Sequence, residues 1–174
     1  MELKKSKLAS LLFAGLFVFE CYDRNGNLKW KKTAKNGTTN QGLDYGLDVI
    51  FGAEAKPTWY VGLIRDDSYS GLSAADTMAS HAGWVEVTAY DEAVRQTLTL
   101  GAVSGKSVDN SASKATFTIS VNDTVIGGAF ITTTNDKGGS TGILYGVGAF
   151  TAGDKTIDDN DTLEVTVTLT AAAA

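Results

Sequence analysis

The stretch Thr162-Leu-Glu-Val-Thr-Val-Thr-Leu-Thr170 decides the fold class. Apolar and polar residues alternate without a break over nine positions, so Leu163, Val165, Val167 and Leu169 share one face. Successive side chains of a strand point to opposite faces, and this pattern reads as a half-buried antiparallel strand. Ala115-Thr-Phe-Thr-Ile-Ser-Val121 repeats it, with Ala115, Phe117, Ile119 and Val121 inside and Thr116, Thr118 and Ser120 outside. Asn122-Asp123 turns the chain into a returning strand, Thr124 to Thr132. The Gly127-Gly128 pair within it marks a bulge or a close backbone approach. Ile143 to Phe150 is a further strand, thinned on one face by Gly146 and Gly148.

Upstream lies an aromatic-rich centre, Pro57 to Tyr90, which holds two of the three tryptophans. Trp59 to Ile64 is apolar enough for a central strand, and Trp84 to Thr88 and Arg95 to Leu100 follow as strands. Ser73 to Ser80 reads as a short helix, with Ser73 as N-cap and Asp76 at the third position. Before this centre, Phe17 to Tyr22 and Leu28 to Thr33 flank Asp23-Arg-Asn-Gly-Asn27. Asn-Gly suits a type I′ hairpin turn. Thr38, Thr39 and Asn40 offer N-caps for a helix ending near Phe51 and closed by Gly52. Its Leu43, Leu47, Ile50 and Phe51 form one apolar stripe, expected to face a sheet.

Composition agrees with many strands and turns. Nineteen glycines accompany a single proline in 174 residues, and 43% of the chain is hydrophobic against 20% charged. Such a chain is long enough to bury one core. The expected fold is mainly β: an antiparallel β-sandwich, jelly-roll-like, with one packed α-helix. Residues 17–174 form the single sandwich domain, and residues 1–16 an N-terminal arm. Residues 5–15 carry one or two helical turns in this reading.

Charge is unevenly spread. Residues 1–37 hold eight Lys or Arg and three acids; the remainder holds seven and seventeen. A basic end on an acidic body points to an acidic partner surface. Lys4, Lys5 and Lys7 before the apolar run Leu8–Phe19 imitate a secretory signal. Twelve residues are too few to span a bilayer, and bulky Phe19 and charged Glu20 follow instead of a small-residue cleavage site. The segment therefore reads as an arm that packs on its own core or on a neighbouring subunit. Cys21 is the sole cysteine, which excludes an internal disulfide or a cysteine-based metal site.

Residues with catalytic potential find simpler readings. His81 has no orienting carboxylate nearby in sequence, so it reads as structural. Asp154-Lys-Thr-Ile-Asp-Asp-Asn-Asp161 is the densest set of oxygen ligands but lacks the glycine and terminal glutamate of a calcium loop; it reads as a solvated acidic turn. Asp66-Asp67 and Asp91-Glu92 are adjacent carboxylates pointing different ways, unlike a glycosidase pair. Gly138-Gly-Ser-Thr-Gly142 lacks the lysine of a phosphate loop and reads as a hairpin turn. Lys29 and Lys31 share one strand face opposite Trp30, a small basic patch on an acidic chain, and no nucleic-acid partner is expected. No catalytic residue, cofactor or metal is expected.

The chain resembles small virion proteins of tailed bacteriophages. The likeness is carried by Phe19-Glu-Cys-Tyr-Asp-Arg-Asn-Gly-Asn-Leu-Lys-Trp30, Asn40-Gln-Gly-Leu-Asp-Tyr45, Thr58-Trp-Tyr-Val-Gly-Leu-Ile64 and Asp76-Thr-Met-Ala-Ser-His-Ala-Gly-Trp84, then by Thr88-Ala-Tyr90 and Asp109 to Ile119. It implies the head decoration, or cement, type: a non-enzymatic β-sandwich that assembles as a dimer or trimer. Such a protein binds the major capsid protein on the virion head surface, after assembly in the host cytoplasm, with no membrane partner. The expected capsid or inter-subunit contacts are Lys4, Lys5, Lys7, Leu8, Leu11, Leu12, Lys29 and Lys31. The alternatives are a tail- or fibre-associated virion protein, or a carbohydrate-binding module with Trp59, Tyr60, Tyr69 or Trp84 as a flat platform.

Overall fold

The computed structural model describes residues 11–65, 72–151 and 153–173. Chain order is β1 (Leu11–Tyr22), β2 (Leu28–Thr38), α1 (Asn40–Phe51), β3 (Tyr60–Arg65), β4 (Val85–Val87), β5 (Gln96–Thr97) and β6 (Ser107–Asp109). Then come β7 (Ala115–Thr118), β8 (Thr124–Ile126), β9 (Gly128–Thr132), β10 (Leu144–Ala149), β11 (Lys155–Ile157) and β12 (Thr162–Ala173). Among the described residues the protein is mainly β with one helix, as the alternating patterns require.

Ten strands form one antiparallel sheet, ordered β4-β3-β9-β10-β2-β1-β12-β6, with β5 on β3 and β7 on β12; β8 and β11 pair separately. The β1–β2–β12 half joins the β3–β9–β10 half through two residue pairs, Thr38 with Gly146 and Gly37 with Val147. The sheet is not closed into a barrel. Its halves share one core: Phe17, Phe19 and Cys21 of β1 and Leu163, Val165 and Val167 of β12 cluster with Val61, Leu63, Ala129 and Ile131 of β3 and β9. This is a sandwich-like arrangement, in which two inner faces are buried against each other. The 162–170 alternation is thus realised as read, with Leu163, Val165 and Val167 fully covered.

Several expectations are corrected. Residues 11–15, read as helical, are strand, because β12 runs long enough to pair with β1 as far as Leu11 opposite Ala173. Residues 11–16 therefore belong to the sheet, not to a separable arm, and Lys4, Lys5, Lys7 and Leu8 lie outside the described residues. The first hairpin forms, but by a three-residue loop. Gly26 N–H donates to Asp23 C=O, only Gly26 is left-handed (φ 82°), and Asp23 Oδ1 accepts from the amides of Asn25 and Asn27. A type I′ turn would need two positive φ angles. The Ser73–Ser80 helix is replaced by turns and a Thr77–Ser80 bridge. Eight residues are too short to nucleate a helix alone, and the Asp76 carboxylate accepts from Trp84 Nε1 at 3.1 Å. At Gly127 the expected strand splits: β8 turns to β11, while β9 continues between β3 and β10. Gly128 sits where a Cβ would meet Gly148 O at 2.0 Å, so only glycine fits that crossing.

Glu20 and Glu164 stand directly opposite on β1 and β12, a pairing that repels. Lys114 bridges both at 2.7 Å, and Lys31 reaches Glu20 from β2 at 2.8 Å. The hydrogen bond from Lys114, then that from Lys31, holds the Glu20 carboxyl below the usual carboxylate range. A carboxyl lowered by folding contributes stability above its unfolded value, about pH 4, and loses it as pH falls through the folded value. The stability difference between wild type and Glu20→Gln should accordingly be full at neutral pH and shrink as pH falls below the ordinary glutamate value of about 4. Urea melts across that range check it; a constant difference would refute it.

Candidate functional site

The helix is built by clear local signals. Thr39 Oγ1 accepts from Gly42 N–H at 3.0 Å, and Gly52 N–H donates to Asp48 C=O at 2.9 Å. Its N-terminus is fixed to β10: Thr39 N–H donates to Tyr145 C=O, and Leu144 N–H donates to Gln41 Oε1. Gly42 is the buried contact, since a Cβ there would lie 2.3 Å from Tyr145 O. The helix can approach the sheet this closely only on its glycine side.

That choice of side reverses the expected orientation of α1. Leu43, Leu47, Ile50 and Phe51 do not face the sheet; they are exposed, Phe51 to 81%. Tyr45 turns inward instead and meets Trp59 edge-on, with ring centroids 6.0 Å apart. Beside the helix runs an apolar groove of about 170 Å³, lined among others by Phe13, Leu43, Ile50, Pro57, Trp59 and Tyr145. On the opposite flank Leu47 and Phe51 border a broad open depression together with Asp44 and Asp48. Contiguous exposed apolar surface on a folded domain marks an interaction site. Sequence reasoning found the stripe but assigned it to the core; Gly42 was the available hint that a thin side of the helix faces inward.

The basic hairpin residues have internal partners. Lys29 Nζ lies 2.6 Å from Asp161 Oδ2 and 2.9 Å from Asp158 Oδ2, and these hydrogen bonds, Asp161 first, raise its pKa. The ammonium thereby takes the place a cation would have between these two aspartates. Lys31 pairs with Glu20 while keeping much of its side chain in solvent. Trp30 lies edge-on to Phe150 at 6.2 Å, away from the lysines. Leu11 and Leu12 begin β1.

The other polar candidates are likewise absorbed by structure. His81 stacks on Trp84, with centroids 3.7 Å apart, and its Nδ1 meets Trp84 C=O at 3.1 Å. Both Glu92 oxygens accept from Thr118 N–H. Asp66-Asp67 and Tyr69 lie outside the described residues. Gly138 to Gly142 sits in the β9–β10 loop, with Gly138 and Gly142 left-handed. Cys21 is buried in the core, and burial pushes its thiol up to about 12. Trp84 is buried, and Trp59 meets Tyr45 and Tyr145 at steep angles. A flat sugar platform needs coplanar exposed rings, and these two tryptophans do not form one. Among the described residues no cluster of His, Cys, Asp or Glu could hold a metal ion, and no helix is long and apolar enough to cross a membrane.

The fold thus carries this apolar helix face exposed on the surface of a mainly β domain. Comparison with protein-family models, curated proteins and solved structures finds no match to the chain.

Proposed function

We propose that this is a non-enzymatic bacteriophage head decoration protein, a homo-oligomer that binds the major capsid protein lattice and stabilises the head. The observation that carries the proposal is the outward apolar face of α1, centred on Leu47 and Phe51. A protein whose work is lattice contact needs such a surface on a rigid support, and α1 is held by its cap and by β10. The virion resemblance of residues 19–119 supplies the identity of the partner. Binding to the assembled lattice and not to free subunits stabilises the lattice by mass action. Lys29 is committed to Asp158 and Asp161, and Lys31 pairs with Glu20 while keeping much of its side chain in solvent.

Co-sedimentation with expanded heads that lack the protein tests the proposal. Wild type should bind saturably, at a stoichiometry matching a capsid symmetry site. Leu47→Asp/Phe51→Asp should weaken binding by about 100-fold, since two central apolar anchors of an interface commonly contribute about 3 kcal/mol or more together. Both side chains are exposed, so the variant should keep its wild-type melting curve. Antibody labelling confined to tails, with no head binding, would transfer the domain to the tail instead.

A further inference from the structure

The groove beside α1 begins where the described chain begins. Phe13 forms part of its wall, two residues after Leu11. β2 pairs with β1 only as far as Gly15 opposite Asn36, then leaves for β10 and α1. Residues 11–14 consequently have β12 on one edge and, among the described residues, no partner strand on the edge that β2 has left. Ten residues precede this point: Met1-Glu-Leu-Lys-Lys-Ser-Lys-Leu-Ala-Ser10. Extended, they reach roughly 33 Å, against about 18 Å for a helix the length of α1.

The groove is apolar, and the segment carries Leu3 and Leu8. Lys56 is the one charged residue of the groove lining, so it turns Lys4, Lys5 and Lys7 of a segment seated there outward to solvent. We infer that residues 1–10 dock on α1 of their own chain, with Leu8 seated in the groove against Leu43 and Ile50 and the lysines in solvent. The docked segment buries the Leu43–Ile50 side of the stripe and leaves the Leu47–Phe51 side outward. The inference goes beyond capsid binding and does not depend on it.

Cysteine cross-linking of the isolated full-length protein tests it without any head present. In Leu8→Cys/Ile50→Cys, mild oxidation at micromolar protein should give one disulfide within the chain, seen by peptide mass spectrometry in the monomer band. Cys21 is fully buried with a raised pKa and should not compete. Leu8→Cys/Val121→Cys is the control, because Val121 is exposed beyond β7, the strand that pairs with the opposite end of β12 from Ala173. Cross-linking no greater than this control, or only between chains, would overturn the proposal. Removing residues 1–10 spares every described strand, and it should raise the fluorescence of a bound hydrophobic dye several-fold. A synthetic peptide of residues 1–10 should reverse the rise, and its Leu3→Asp/Leu8→Asp form should not. Unchanged dye binding on truncation would count against docking.

Discussion

Replacing Arg95 with methionine is expected to destabilise the fold by about 3–5 kcal/mol, because it strips a buried carboxylate of its counter-charge. Arg95 is 0% exposed. Its Nε and Nη2 grip Glu86 at 2.9 and 2.8 Å, and the remaining donors reach Thr134 C=O, Thr134 Oγ1 and Gly139 C=O. The guanidinium also lies 5.2 Å from the centre of the Phe130 ring. Five hydrogen bonds from one planar group join β4 to both limbs of the β9–β10 loop, and lysine could not reproduce that fork. Methionine would leave Glu86 facing Gly138 N–H alone, with two loop carbonyls unpaired. At roughly 2–4 °C per kcal/mol for a chain of this size, the melting temperature should fall by about 10 °C. The double variant Glu86→Leu/Arg95→Met should recover a large part of the loss, since the desolvation cost of both charges goes with them. A single variant within 1 °C of wild type would show that the network carries no net stability.

The second large effect is expected at Phe19. It is fully buried, edge-on to Phe150 at 4.8 Å and tilted against Phe17 at 6.1 Å, and it lies between the two inner faces of the sheet. Phe19→Ala removes one of the largest side chains packed between the halves and leaves a cavity. The expected cost is about 3–5 kcal/mol. Phe19→Leu keeps most of the volume and should cost less than half of that. Urea titration followed by tryptophan fluorescence reads both as shifts in midpoint with an unchanged slope. A shift for Phe19→Ala no larger than that for Phe19→Leu would mean that the halves are not packed through this ring.

These two sites differ in how readable they are from sequence. Phe19 could be assigned to the core from alternation alone: Phe17, Phe19 and Cys21 share a parity, and all three are buried. Arg95 could not. It stands in a strand-like stretch beside Gln96 and Thr97, and nothing local distinguishes it from a solvent-facing arginine. Its partners are 9, 39 and 44 residues away and converge only when β4, β9 and the following loop are assembled. The same holds for Lys29, whose aspartates are 129 and 132 residues distant.

The helix shows the division most clearly. Thr39 and Gly52 set its ends, and its apolar period is plain, so its existence and limits followed from local chemistry. Periodicity says that a stripe exists but not what covers it. Backbone approach decided that matter: Gly42 lets α1 press against Tyr145, and the larger side chains are turned away from the sheet. Alternation, turn residues and caps are short-range properties, which the sequence by itself determined for the strands, the first hairpin and α1. The split at Gly127, the burial of Arg95 and the outward face of α1 were decided by the tertiary structure. They depend on which distant surfaces meet, and that is settled by packing and by pairing buried charge, not by neighbours along the chain.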